Sequence, residues 1–349
     1  MNDIRTILPY LLRKPEILTE DDRSIVKKVY VEMGKVAVDN ALKKEKQSRP
    51  FASEVLALCG CDPDYWKEVH NEYVQRNTAI LDILQAVFKT FHEKGGRTLN
   101  VYENFGAVLS SGLIVGNFAS GDVDFTVEDS EAQLAIDAIR ENGFYEKNRT
   151  GHIKPAEQLV TPFYNPNALD GNGFWLNIFW KPIARSYMLR QKKYKERLSS
   201  LRRSELDTYK NTDIKLLPPT AMVYFNALHF ACEHHYSASP GMALCCDMDR
   251  VIRTRDIDWD KLVLWSEEDN AGLRLRLALD VCHYFLKTDV PLDKFGEPSR
   301  VYKKLRNRIV DEDHNYLISQ DGKLARLTTE LLSDDMPMAK SLFYRLWRE

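Results

Sequence analysis

Asp122 and Asp124 stand one residue apart inside an apolar run, Gly121-Asp122-Val123-Asp124-Phe125-Thr126-Val127. In an extended strand, residues i and i+2 point to the same face. Both carboxylates therefore project together, while Val123, Phe125 and Val127 help to anchor the strand. Two like charges this close repel each other unless a cation lies between them. Carboxylate oxygens suit Mg²⁺, which in turn holds substrate phosphates. The pair predicts metal-dependent phosphate chemistry.

The elements around the pair fall into three segments. Residues 1–97 read as helical. Apolar residues from Asp22 to Lys46 recur near helical spacing, and Asp62-Pro63 reads as the N-cap and first turn of a helix that runs to Gly95-Gly96. Residues 98–182 change character. Thr98 to Tyr102 reads as a strand, Gly106 to Leu113 as a turn with a short helix, and Ser130 to Glu141 as a helix capped by Gly143. Gly173 to Trp180 reads as a second apolar strand, its Trp and nearby Tyr residues as core. The Pro-, Asn- and Gly-rich stretch from Pro155 to Gly171 reads as a loop. Residues 183–349 read as helical again, with a basic stretch over 185–203 and a long apolar helix from Ala221 to Glu233.

The whole chain has 349 residues, 44 % of them apolar, and a formal net charge of −2. That composition supports a sizeable core and two or three subdomains. It gives no global electrostatic argument for nucleic acid, so any anion site must be local. The opening Met1-Asn2-Asp3-Ile4-Arg5 lacks a basic region followed by an apolar one, so no secretory leader is expected. No window approaches the roughly 18 apolar residues of a membrane span. The six cysteines, Cys59, Cys61, Cys232, Cys245, Cys246 and Cys282, fit neither a disulfide framework nor a paired zinc site. Reduced thiols in a cytoplasmic protein are the expectation. His229, Glu233, His234 and His235 lack H-E-x-x-H spacing and read as structural.

A strand, a Gly/Ser-rich turn with a short helix, and a D-x-D strand, in that order, resemble the DNA polymerase β-like nucleotidyltransferase superfamily. Within it the chain more closely resembles a bacterial family of poorly characterised nucleotidyltransferases, distinct from the aminoglycoside-modifying branch. The resemblance covers about residues 98–290. It is carried by Phe105-Gly106-Ala107-Val108-Leu109, by Gly121 to Phe125, by the helix ending Gly143-Phe144, and by Leu176-Asn177-Ile178-Phe179-Trp180. Leu217-Pro218-Pro219 with Leu228-His229, then Asp247 to Ile252 and Asp256-Ile257-Asp258-Trp259, complete it. The departures are specific. Phe105 stands where that family usually has lysine, Phe118 where an arginine usually lies, Asn177 in place of a third carboxylate, and Phe179 in place of histidine.

The resemblance implies an α+β fold: a small nucleotidyltransferase core (98–182), a mixed sheet with flanking helices, enclosed by N-terminal (1–97) and C-terminal (183–349) helical regions. It implies a Mg²⁺-dependent enzyme that transfers an NMP group from a nucleoside triphosphate to an acceptor hydroxyl or phosphate. Asp122 and Asp124 would hold the metal, and Asn177 would occupy the third catalytic position. Ser110, Ser111 and Gly112 would lie beside the phosphates, although an ordinary helix or turn accounts equally for them. Lys181 and Arg185, or Arg190, are the natural replacements for the missing cations. Asn177 cannot serve as a base at neutral pH, which leaves a slow enzyme, an acceptor that is already anionic, an inactive relative, or another acid such as Asp170 or Glu128 in its place. The basic helix over 185–203 reads as a solvated face or as a triphosphate or nucleic-acid contact, and nucleic acid is not the favoured partner. The alternative function is a catalytically impaired relative that binds a nucleotide or a protein.

Overall fold

The computed structural model describes residues 4–44, 48–112, 116–119, 121–147, 160–180, 191–232, 234–312 and 316–318. The chain opens with helices α1 (Ile4–Leu11), α2 (Glu20–Met33), α3 (Lys35–Lys44) and α4 (Arg49–Leu58), followed by the 31-residue α5 (Pro63–Glu93). Thr19 caps α2 with a reciprocal capping box, its hydroxyl accepting from Asp22 N–H while the Asp22 carboxylate accepts from Thr19 N–H. The helix expected to continue to Lys46 breaks at Gly34, whose φ of 78° ends α2 and lets α3 leave in a new direction. Asp62 begins α5 as expected, but its carboxylate makes no cap bond. It accepts from Tyr30 Oη at 2.7 Å instead.

The middle of the chain builds the sheet. Strand β1 (Asn100–Tyr102) leads to the short helix α6 (Phe105–Ser110), then β2 (Asp122–Thr126), α7 (Ala132–Glu141), β3 (Tyr145–Glu146), β4 (Val160–Asn165) and β5 (Phe174–Phe179). After α8 (Gln191–Ser204), β6 (Asp207–Thr208) and β7 (Lys215–Leu216) complete a seven-stranded mixed sheet, ordered β3-β4-β5-β2-β1-β7-β6. The β2–β5 and β1–β7 pairs are parallel and the rest antiparallel. Strand β4 falls inside the stretch read as a loop. Pro162 hid it, because proline removes a ladder donor. The Pro162 carbonyl accepts from Lys147 N–H on the β3 side, where that ladder ends, so the missing donor leaves the β5 side intact.

The remaining helices are α9 (Pro219–Cys232), α10 (Ala238–Thr254), α11 (Trp259–Glu268), α12 (Gly272–Leu286) and α13 (Arg300–Ile309), with a small hairpin of β8 (Val310–Asp311) and β9 (Tyr316–Leu317). Two cores organise these elements, and they do not follow the 97 and 182 boundaries. One sheet face, with Val101, Val123, Phe125, Phe163, Leu176 and Ile178, packs on Ile80, Leu84 and Phe88 of α5 and on α7. The other core joins the N-terminal helices to α9–α13, and takes in Tyr102 from the opposite sheet face. Helix α5 enters both, through Trp66 and Val69 at one end and Ile80 to Phe91 at the other. Arg13 ties the ends together by donating to the Phe285 carbonyl at 2.9 Å. Among the described residues no helix is long and apolar enough to cross a membrane.

Candidate active site

The register of three strands builds the site. Residues directly opposite each other share a face, and β2 lies beside β5 with Asp122 opposite Trp175 and Asp124 opposite Asn177. Asp124 is also opposite Tyr102 on β1. Asp122, Asp124 and Asn177 thus share the face turned away from α5. They touch: Asn177 Nδ2 donates to Asp122 Oδ2 at 3.0 Å and to Asp124 Oδ1 at 2.7 Å. One amide bridges both carboxylates and offsets part of their repulsion. Asp124 and Asn177 are buried, and Asp122 is half-buried.

The far side of that amide shows what else the cluster can hold. Asn177 Oδ1 is enclosed and has no hydrogen-bond partner among the described residues. A half-turn about the Cβ–Cγ bond brings this carbonyl to the carboxylates in place of the amide nitrogen. Two carboxylates and one amide carbonyl form an all-oxygen donor set suited to Mg²⁺. Among the described residues no group of three or more His, Cys, Asp or Glu side chains comes together as a metal cluster.

Phe105 and Phe118, the positions that lack the usual lysine and arginine, lie against each other, their ring centroids 4.7 Å apart. Both are buried. Asn77 of α5 holds the Phe118 carbonyl at 2.8 Å, which fixes the approach to β2. The β1–α6 turn is strained, with Glu103 and Asn104 at φ 59° and 29°. Gly106 allows α6 to close over it, because a Cβ there would meet the Val101 carbonyl at 3.1 Å and Met222 at 3.0 Å. His229 Nδ1 faces the buried Glu103 carboxylate at 3.0 Å, and His229 Nε2 lies 2.9 Å from His234 Nε2. These histidines brace the turn.

Ser110 and Ser111 lie at the C-terminal end of α6 and are buried. Ser111 Oγ donates to Val108 O, and the N–H groups of Ser111 and Gly112 are engaged by Ala107 and Leu109 carbonyls. Lys181, Arg185 and Arg190 lie outside the described residues. Within α8, Arg197 pairs with Glu268 and Asp269, while Arg202 and Arg203 both pair with Glu128. Burial alone would raise the Glu128 carboxyl, but hydrogen bonds from Ser199 and Arg203 and the charges of Arg202 and Arg203 hold it below its ordinary value. So held, Glu128 is a clamp for α8 and a poor proton acceptor. Asp170 is exposed on the turn before β5, at φ 56°.

The C-terminal motifs are structural. Asp258 caps α11 through Lys261 N–H, and Asp249 binds Arg253 and Thr288. Burial pushes the Asp247 carboxyl well above its usual range, against the opposing charge of Arg250. All six cysteines are buried, and none is in a disulfide among the described residues.

Sequence reasoning passed over Lys147. Nothing local marks it, and only the register of β3 on β4 brings it to the site's face. Trp175, read as core, is half-buried there.

A D-x-D strand paired in parallel with a strand bearing the third polar position, next to a glycine-turned short helix, defines a nucleotidyltransferase-type core. The family model for uncharacterised nucleotidyltransferases matches residues 62–287, well over half of the 349-residue chain. The chain belongs to that family. The match reaches back from residue 98 to the start of α5, the helix that supports the sheet and positions Phe118. No curated protein and no solved structure matches the chain.

Proposed function

We propose that this protein is a Mg²⁺-dependent nucleotidyltransferase that moves an NMP group from a nucleoside triphosphate to an acceptor hydroxyl or phosphate. The observation that carries the reading is the contact of Asp122 and Asp124 with Asn177 across β2 and β5. Asp122 and Asp124 would hold the metal, and Asn177 would complete its oxygen donors. Bound magnesium would neutralise charge on the reacting phosphate and on the departing pyrophosphate. Asn177 keeps the two carboxylates at one spacing in the resting site. It takes no proton at neutral pH, and Glu128 is locked by arginines. An acceptor whose attacking oxygen is already anionic suits these residues best.

Calorimetry with each of the four nucleoside triphosphates, with and without Mg²⁺, tests the reading. Mg²⁺-dependent binding that disappears in an Asp122→Asn/Asp124→Asn protein is the expected result. Absent binding, or binding and turnover unchanged in that variant, would sink it. The Phe105–Phe118 ring pair favours a second reading, a relative that binds a nucleotide or protein without turnover. Asp124-dependent pyrophosphate release rules that out.

A further inference from the structure

The row that contains Asp122 continues outward as aromatic side chains. Trp175 is opposite Asp122, Tyr164 is opposite Trp175, and Tyr145 is opposite Tyr164. At a strand spacing of about 4.8 Å, Trp175 lies about 5 Å from Asp122, Tyr164 about 10 Å and Tyr145 about 14 Å. The Trp175 and Tyr164 rings stack with centroids 4.5 Å apart and an angle of 38°. Both are half-buried, which leaves ring surface open on the site's face. Gly173 accommodates this arrangement. It sits at φ +74°, and a Cβ there would fall 2.7 Å from Tyr164 Cζ. Any other residue would push the Tyr164 ring off Trp175.

Lys147 completes the feature. Its ammonium lies 4.5 Å from the Tyr164 centroid and 5.9 Å from that of Trp175. Among the described residues it forms no ion pair, and its side chain is exposed. Three N–H donors therefore sit over a pair of tilted, partly open rings, one to two strand spacings from the paired carboxylates.

We propose that Trp175 and Tyr164 are the stacking platform for the base of the nucleoside triphosphate, with Lys147 donating to the base edge. The inference rests on the nucleotidyltransferase reading and adds the place of the base. A base and its α-phosphate are separated by one ribose, a length that fits one to two strand spacings, roughly 5–10 Å. A base needs a π-surface and edge donors, and both are present. Tyr145 lies beyond the reach of a mononucleotide and serves as the control.

The test compares, in Mg²⁺, the affinities for a nucleoside triphosphate and for inorganic tripolyphosphate, which has no base. The native protein should bind the nucleotide at least ten-fold tighter, and only the nucleotide should change tryptophan fluorescence. Trp175→Leu and Tyr164→Leu should each lower nucleotide affinity, on the scale of roughly five- to 150-fold for loss of an aromatic–base stack, and leave tripolyphosphate unchanged. Lys147→Met, at an exposed position where folding is not at stake, should lower nucleotide affinity several-fold and spare tripolyphosphate. Tyr145→Ala should change neither. If these variants leave nucleotide affinity unchanged while Asp122→Asn/Asp124→Asn abolishes it, the platform is wrong and the nucleotidyltransferase reading stands. If Lys147→Met weakens tripolyphosphate equally, its base contact is wrong. If neither ligand binds the native protein, both readings fall together. A single-stranded RNA oligonucleotide weakened by Tyr145→Ala, with nucleotide affinity insensitive to Trp175→Leu, assigns the row to a nucleic-acid acceptor and overturns the proposal.

Discussion

Asn177→Asp is the sharpest perturbation of the site, because it replaces one amide group by a carboxylate oxygen and reverses the sign of two contacts. The amide now donates to Asp122 at 3.0 Å and to Asp124 at 2.7 Å. The variant loses both bonds, each of the charge-assisted kind worth about 1.5–3 kcal/mol. It also places a third carboxylate about 3 Å from two others, with a repulsion of about 5 kcal/mol per pair at an effective dielectric constant of about 20. The site escapes the full cost because one of the three acids takes up a proton. A net loss of about 3–6 kcal/mol remains in metal-free buffer at neutral pH, a fall in Tm of about 6–12 °C at about 2 °C per kcal/mol for a long chain. Magnesium reverses the sign again. At about 100 times its Kd it returns about 2.7 kcal/mol, so the Tm of the variant should climb with Mg²⁺ more steeply than that of the native protein. Pyrophosphate release should rise with it, within the roughly 10²–10⁴-fold range of a positioned base. The assay is thermal unfolding across a Mg²⁺ series, with circular dichroism as the readout. A variant as stable as the native protein in chelator, with no added response to Mg²⁺, refutes the bridging role of Asn177.

Three further outcomes follow from the surroundings. Phe118→Ala should cost about 3–5 kcal/mol, and Phe105→Lys should destabilise rather than activate, since each opens or charges a sealed ring pair; urea unfolding measures both. Glu128→Gln should cost about 2–4 kcal/mol at neutral pH by leaving Arg202 without its anion. The folded-state pKa of Glu128 is lowered, so its stabilisation is complete above the unfolded value of about 4.3 and is lost as pH falls through the folded one. Native and variant Tm should therefore converge in acid. Asp247 has the opposite sign: its folded pKa is raised, so its stabilisation is complete below about 3.9 and is lost as pH rises. Asp247→Asn should unfold at a higher temperature than the native protein at neutral and alkaline pH, and the gap should close towards pH 4.

How far the sequence reaches depends on whether a feature is local. Helix α5 shows in the spacing of Trp66, Val69, Ile80, Leu84 and Phe88, and α9 in its Pro219 start, because both signals lie within one element. The Asp122/Asp124 alternation reads as one strand face for the same reason. That Asn177 lies opposite Asp124 is a pairing between strands 53 residues apart. No periodicity encodes it; the resemblance of Leu176 to Trp180 to a known motif assigns Asn177 to the third catalytic position but not to a place opposite Asp124. Where no motif helped, the pairing stayed hidden. Pro162 masked β4, and without β4 nothing brings Tyr164 or Lys147 beside Trp175. The basic stretch over 185–203 misled in another way. Arg197, Arg202 and Arg203 look like free charge in sequence, but their carboxylate partners come from α11 and its C-terminal end, and from the end of β2.

The departures at Phe105, Phe118 and Asn177 make one arrangement. Two cations and one anion are replaced by neutral side chains, and the two replacing the cations pack on each other. The ring pair closes α6 onto the approach to β2, and Asn77 fixes that approach from α5. A lysine placed at Phe105 would enter a buried apolar contact and gain no route to the site, so the missing charge cannot be restored one residue at a time. Arg255, near α6, donates to the Ser110 carbonyl and pairs with Asp207. Arg255 is thus already engaged beside α6, while two carboxylates, Asp122 and Asp124, line the site. A triphosphate can approach two carboxylates only when divalent cations outweigh them. Nucleotide affinity here should accordingly fall more steeply on removal of Mg²⁺ than in a site that keeps both the lysine and the arginine.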